Sequence, residues 1–272
     1  MPLLGFGVYL VTDLEECEKS VLFALKSGYR MIDTAAVYGN EKAVGKAIKE
    51  SGIPREEIFI VSKVWIQDAD YEKTKQSFAK TLENLQTNYL DLYLIHMPYG
   101  DYHGSWRAME ELYSEGKIRA IGVSNFLEDR LVDLVLTHKI VPAVNQVELH
   151  PFFQQKSLRK VMEKYQIKPM AWGPLAQGKN DIFKSPILNS ISEKYHKTPA
   201  QVILRWLIQS QIIAIPKSVH ENRIQENINI NDFNLSDTDI EQIEQMDTGK
   251  CLILNITSLE EVYRLHGMHF EQ

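Results

Sequence analysis

The stretch LDLYLIHM, Leu90 to Met97, runs almost wholly apolar, shows no sustained alternation of apolar with polar residues, and then delivers a histidine. A strand with one wet face would alternate, so this run reads as a strand covered on both faces, as parallel strands are. The same pattern recurs in GFGVY (Gly5–Tyr9), IFIVSKVW (Ile58–Trp65), IRAIGVSN (Ile118–Asn125), PAVNQVEL (Pro142–Leu149), KPMAWGPL (Lys168–Leu175) and IIAIPKS (Ile212–Ser218). Segments of helical period separate these runs. Thr12 with Glu15 has the form of a capping box ahead of a helix closed by Gly28, and Thr198-Pro199 opens another.

Each run ends on a polar or hydrogen-bonding residue: Asp33, Lys63, His96, Ser124, Gln146, Trp172 and Lys217. Successive members lie 22 to 45 residues apart, enough each time for one strand, one helix and their loops. With Gly5–Tyr9 as the first strand, this makes eight βα units over residues 1–272, with no Pro/Gly/Ser-rich linker to divide them. A single α/β domain, a (β/α)8 TIM barrel, is the expected fold. A doubly wound open sheet is the competing topology, but the GxGxxG that would follow its first strand is absent.

The chain has 272 residues, 44% of them hydrophobic, and a net charge of −6. That charge gives no footprint for nucleic acid. The early apolar run is broken by Pro2, Gly5 and Gly7 and meets acids at Asp13, Glu15 and Glu16, so a signal peptide or membrane span is not expected. Cys17 and Cys251 lie far apart and have no ligand spacing, which points to a reducing compartment, the cytoplasm, and to no structural metal. The expected partner is a small molecule, and the expected state a monomer or weak homo-oligomer.

Strand-end residues of a TIM barrel converge on one face. Asp33, Lys63 and His96 should therefore meet, with Tyr38 in the loop after the second strand. A phenol is a weak acid at neutral pH, and an adjacent ammonium from Lys63 would lower its pKa. Asp33 is the counter-charge that makes a buried lysine tolerable. His96 can then donate to a carbonyl oxygen. Trp172 offers a flat stacking face, with hydrogen-bonding groups of Ser124, Asn125 and Gln146 on adjacent strands. Lys217, Ser218 and Arg223 suit an anionic group where the eighth strand feeds a helix, and Glu226 and Asn227 follow.

The strings DTAAVYGNE, VSKVW, YLDLYLIHMP, GVSNF, NQVELHP and IPKSVHENRIQEN resemble the aldo-keto reductases in order and spacing from Leu4 to about Asp247. The resemblance implies a (β/α)8 barrel, reversible reduction of aldehydes and ketones to alcohols, and NADPH as coenzyme without metal or flavin. It puts the nicotinamide against Trp172, Ser124, Asn125 and Gln146, the 2′-phosphate at Lys217, Ser218 and Arg223, and the adenine at Glu226 and Asn227. Asp33, Tyr38, Lys63 and His96 match the family's catalytic four. AWGPLAQGK is most similar to the small bacterial members, a branch that includes diketogluconate reductases, and it places Gly173 and Leu175 beside Trp172 at the coenzyme.

Val8, Tyr9 and Trp65 are expected around the substrate together with Met97, which stands where many members carry tryptophan and replaces a flat wall with an adaptable one. The family usually opens with a β-hairpin that closes the bottom of the barrel, and with Met1 almost at the first strand that hairpin is expected to be missing. His103 and His150 lack spaced partners and are expected to be loop or supporting histidines. The tail SLEEVYRLHGMHF is amphipathic; it either helps shape substrate choice, as the family's C-terminal loop does, or simply packs on the surface. Two other functions fit the same barrel: a Schiff-base aldolase with Lys63 as nucleophile, and a coenzyme-sensing binding subunit.

Overall fold

The computed structural model describes residues 1–270. Eight parallel strands form one sheet in chain order: β1 (Phe6–Gly7), β2 (Met31–Asp33), β3 (Phe59–Val64), β4 (Leu92–Ile95), β5 (Ile121–Ser124), β6 (Val144–Glu148), β7 (Lys168–Trp172) and β8 (Ile213–Ile215). The ring closes where Gly5 N donates to Ala214 O at 2.9 Å, Ala214 N to Leu3 O at 2.9 Å and Gly7 N to Pro216 O at 3.0 Å. Gly5 permits that closure, since a Cβ there would meet Ile215 Cδ1 at 2.7 Å. The expected barrel is the observed one.

Successive side chains of a strand point to opposite faces, and the core divides accordingly. Met31, Val61, Leu92, Leu94, Val144, Met170, Ile213 and Ile215 form one buried cluster inside the ring. Residues of the other parity, such as Ile32, Ile60, Tyr93, Ile95, Val123, Val147 and Ala214, join the larger cluster beneath the helices. Gly122 takes an inward position because there is no room for more; its Cβ would lie 2.8 Å from both Leu94 Cδ2 and Val144 Cγ2.

The outer layer comprises α1 (Leu14–Lys26), α2 (Glu41–Glu50), α3 (Tyr71–Leu85), α4 (Tyr102–Ser114), α5 (Glu128–Thr137), α6 (Lys156–Lys164), α7 (Pro186–Tyr195), α8 (Pro199–Gln209), α9 (Glu221–Ile228), α10 (Asp237–Glu244) and α11 (Leu259–His266). The cap of α1 falls one residue later than expected: Asp13, not Thr12, accepts from Glu16 N at 2.8 Å. Gly28 follows the helix with φ +106°. Thr198 does cap α8, in a capping box with Gln201.

Among the described residues no strand precedes β1, and the chain runs from Met1 almost directly into the barrel. Phe59 and Ala120, packed against the inner cluster, are only half-buried there.

Candidate active site

The inward parity that fills the barrel continues past the apolar layer. Two residues beyond Met31, Val61, Leu94, Gly122, Val144, Met170 and Ile215 stand Asp33, Lys63, His96, Ser124, Gln146, Trp172 and Lys217. Seven strands thus place inward residues at or near their carboxyl ends around one mouth. A cavity of about 590 Å³ opens there, and Asp33, Tyr38, His96, Ser124, Asn125, Gln146, Trp172 and Lys217 contribute to its wall.

Lys63 is fully buried, and its Nζ donates to Asp33 Oδ1 at 2.7 Å and to the Thr34 carbonyl at 2.8 Å. The second Asp33 oxygen accepts from Gln146 Nε2 at 2.7 Å, so the ion pair has partners on both sides. Lys63 Nζ also lies 5.2 Å from the centre of the Tyr38 ring. Tyr38 meets His96 edge-on, with ring centres 5.6 Å apart, and Trp65 meets His96 from another side at 5.0 Å.

Burial moves the pKa values of this group in directions that bear on its chemistry. Tyr38 is raised well above the ordinary phenol value by its enclosure and by the Asp33 charge. This corrects the expectation that Lys63 lowers it: Asp33 faces the ammonium, and desolvation dominates. Burial also lowers Lys63, against the pull of Asp33. His96 is pushed well below the usual imidazole range by burial and then by the Lys63 charge. The site therefore holds a neutral phenol beside a neutral imidazole. His96 Nδ1 is buried without a partner among the described residues, so no internal acceptor holds the ring proton on that nitrogen.

Trp172, Asn125, Ser124 and Gln146, the residues expected to meet a nicotinamide, lie together and are hydrogen-bonded to one another or to their neighbours' backbone. Trp172 Nε1 donates to Asn125 Oδ1 at 2.9 Å, Asn125 Nδ2 to the His96 carbonyl at 3.0 Å, and Ser124 Oγ to the Gln146 carbonyl at 2.8 Å. Asn125 adopts φ +62°, a left-handed conformation that asparagine tolerates better than most residues. Gly173 and Leu175 line the same cavity.

At the start of α9 the picture differs. Lys217 and Arg223 are exposed, and among the described residues neither forms an ion pair. The Ser218 hydroxyl accepts from His220 N at 3.1 Å. Glu226 is not wholly free for an adenine, because its Oε1 accepts from Thr198 Oγ1 at 2.7 Å. Asn227 is buried.

Tyr9, Trp65 and Met97 line the cavity, whereas Val8 does not. Val8 has the outward parity of its strand and is fully buried in the core beneath α1, so its place in the substrate pocket is corrected. Gly7 and Leu10 are the neighbours that do reach the cavity. The tail does not only pack on the surface: Leu265 and Met268 line the cavity, and Trp65 Nε1 donates to the Met268 carbonyl at 3.0 Å.

Gln146, expected at the mouth, also donates to Asp33 and so links the ion pair to the group around Trp172. Two further buried residues of this region, Glu41 and Glu148, were not singled out in the sequence. Glu41 accepts from Ser62 Oγ at 2.6 Å and from Asn84, and it adds a second acid near Lys63; burial raises its pKa. Glu148, the next inward residue after Gln146, holds a segment near the C-terminus. Strand parity applied to VNQVE would have marked Glu148; nothing local marked Glu41. His103 contacts His138 at 2.9 Å and Asp133 at 3.0 Å on the helical surface, and His150 is fully buried beside Glu148, so both are remote from the Tyr38 group. Among the described residues no three His, Cys, Asp or Glu side chains are grouped to hold a metal ion, and no helix is long and apolar enough to cross a membrane.

A closed parallel barrel with this polar mouth matches a known class of oxidoreductases acting on carbonyl groups. Residues 4–248 match the model of the aldo/keto reductase family, and the chain belongs to that family. It is 51% identical to the glyoxal reductase of Bacillus subtilis (strain 168) over 247 residues, 90% of this chain and 89% of that protein. An aldo-keto reductase, MGS-M4, from a Medee basin deep-sea metagenome library superposes with a TM-score of 0.93 at 42% identity, covering 95% of this chain and 96% of that one. A mutant of Gox0644, solved in complex with NADPH, superposes with a TM-score of 0.89 at 39% identity, over 94% and 93% of the two chains.

Proposed function

We propose that this chain reduces small aldehydes and dicarbonyls to alcohols with NADPH, and that Tyr38 supplies the proton. The observation that carries this reading is the single cavity in which Tyr38 and His96 face Trp172, Ser124, Asn125 and Gln146. These residues fit a nicotinamide: Trp172 is part-exposed in the wall, and the amide and hydroxyl groups beside it match a carboxamide. Lys217 lies farther along the same wall, where phosphate would fall. The bound coenzyme supplies hydride.

In this mechanism the protein's work is positional and protonic. His96, kept neutral by burial, donates a hydrogen bond that holds the carbonyl oxygen against Tyr38. Tyr38, protonated throughout the neutral range, gives up its proton as negative charge develops on that oxygen. Lys63 lies close enough to stabilise the resulting phenolate, and Asp33 with Gln146 keeps the ammonium in place. Trp65 and Met97 provide the apolar wall that excludes water from the reacting carbon.

The glyoxal and methylglyoxal reductases among the relatives favour short dicarbonyls, while other relatives are named for prostaglandin H2 and morphine. Lys63 makes a poor Schiff-base nucleophile, since it is fully buried and has two acceptors. We place the enzyme in the cytoplasm, with a small carbonyl compound as its partner. The test is a panel of dicarbonyls, simple aldehydes, α-keto esters and keto-sugars, assayed by loss of reduced nicotinamide absorbance with NADPH and with NADH. Turnover led by short dicarbonyls with NADPH is expected. Absence of turnover across the panel, or borohydride trapping of a carbonyl on Lys63, would overturn the reading.

A further inference from the structure

Glu148 ends β6 two residues beyond Gln146, and 3% of its surface is accessible. Among the described residues no lysine or arginine forms an ion pair with it. Its Oε1 accepts from Leu252 N at 2.6 Å and Ile253 N at 3.1 Å, its Oε2 accepts from Leu254 N at 3.0 Å, and His150 Nε2 lies 3.1 Å from Oε1. Three successive backbone N–H groups aimed at one carboxylate form a nest, an arrangement that binds anions and fixes the backbone supplying it. Here the anion is a side chain of the barrel, and the backbone belongs to the segment leading to α11.

That segment is part of the cavity. Ile253 and Leu254 line it, and Leu254 packs in the cluster with Trp65, Met97 and Leu265. Ile253 also lies against Gly173, where a Cβ would come within 2.8 Å of its Cδ1. Lys179, in the loop after β7, donates to the Leu252 carbonyl at 2.8 Å, so the same three residues anchor a second piece of the wall. Nothing else observed fixes residues 252–254 to the barrel as firmly as Glu148 does.

We infer that Glu148 is a positioning residue for substrate size: by holding Leu252, Ile253 and Leu254 it sets the wall that favours short carbonyl compounds. It touches neither the reacting atoms nor the Tyr38 group. The inference rests on the proposed reductase activity for its kinetic consequence, and on hydrogen bonding alone for its structural one.

The two parts are tested together on the full-length protein. Hydrogen exchange is measured at the amides of residues 252–254 in wild type, Glu148→Gln and Glu148→Asp, and kcat and KM are measured for a three-carbon dicarbonyl and for an aromatic aldehyde with NADPH. Glu148→Gln weakens all three acceptor bonds and sets an NH2 group against N–H donors, so exchange should rise at least ten-fold at these amides. The preference for the short substrate, as a ratio of kcat/KM values, should fall about ten-fold through KM, with kcat and NADPH affinity kept within about three-fold. Glu148→Asp keeps the charge but loses one methylene of reach, and it should fall between the two in both readouts. It also serves if the glutamine variant does not fold. Amides that stay protected, or amides that are released with no change in the preference, would overturn the inference. Absence of turnover in wild type would instead strike the functional reading and leave the exchange result standing.

Discussion

Asp33 and Arg223 lie at the same end of the barrel, and the protein treats their charges in opposite ways. Around Asp33 every charge is buried and already matched: Lys63 on one oxygen, Gln146 on the other, and Thr34 O on the lysine. Around Arg223 the cations are exposed, and among the described residues they have no acid of their own. A preorganised, internally satisfied cluster suits a step in which charge develops briefly and nothing should move. Unmatched cations in solvent suit a ligand that arrives with its own negative charge. In the proposed mechanism the first region carries the chemistry and the second holds the coenzyme.

This division is most exposed at Tyr38. Tyr38→Phe keeps the ring packed on His96 and removes the acid, so kcat should drop by about 10²- to 10⁴-fold while NADPH titration by fluorescence gives an affinity near wild type. A comparable loss of coenzyme affinity would mean that the two regions are not separate.

Lys63→Met leaves Asp33 buried without its cation. Breaking a buried pair from one side costs about 3–5 kcal/mol of stability. A urea unfolding series should show the midpoint falling by that equivalent, with turnover lost as well; an unchanged midpoint would show that the pair is not internally compensated. At Arg223 the effect is smaller and selective. Arg223→Ala should weaken NADPH by about ten- to a hundred-fold and NADH by only a few-fold, as losing one charge-assisted bond to a 2′-phosphate requires. Equal losses for both coenzymes would assign Arg223 to the fold of α9.

The smallest effect is on stability against pH. His96 has a folded-state pKa below its ordinary 6.5, so above that pH neither state carries its proton and the group is silent. Below it the unfolded chain takes up a proton that the fold refuses, and stability falls by about 1.4 kcal/mol per pH unit until the folded pKa is reached. Tyr38 acts at the other end: its pKa is raised above 10.0, so stability is lost as pH climbs beyond that value and the unfolded phenol ionises. The His96→Asn variant should lose less stability than wild type between pH 7 and pH 5, and identical slopes would place the acid sensitivity elsewhere.

The comparison also separates what was legible in the sequence from what was not. Runs such as LDLYLIHM ended on a polar residue, and period two carried their inward parity from the packed layer to the mouth, so the barrel and the members of the Tyr38 group could be read without coordinates. Val8 was misplaced by ignoring that same parity. The pKa of Tyr38 was misjudged because sequence brings Lys63 near but does not reveal that Asp33 and burial outweigh it. Glu148 with residues 252–254, and Gln146 with Asp33, join partners about a hundred residues apart, and no local pattern announces such a bond.

The most direct test is a single-turnover measurement of coenzyme oxidation, with a short dicarbonyl and NADPH both saturating, on wild type, Tyr38→Phe and Arg223→Ala side by side. Once NADPH is saturating, Arg223→Ala should react at the wild-type rate, because its defect lies in holding the coenzyme, while Tyr38→Phe should stay slower by about 10²-fold or more. A wild-type rate in Tyr38→Phe, or a slow rate in Arg223→Ala that saturation does not restore, would contradict the account.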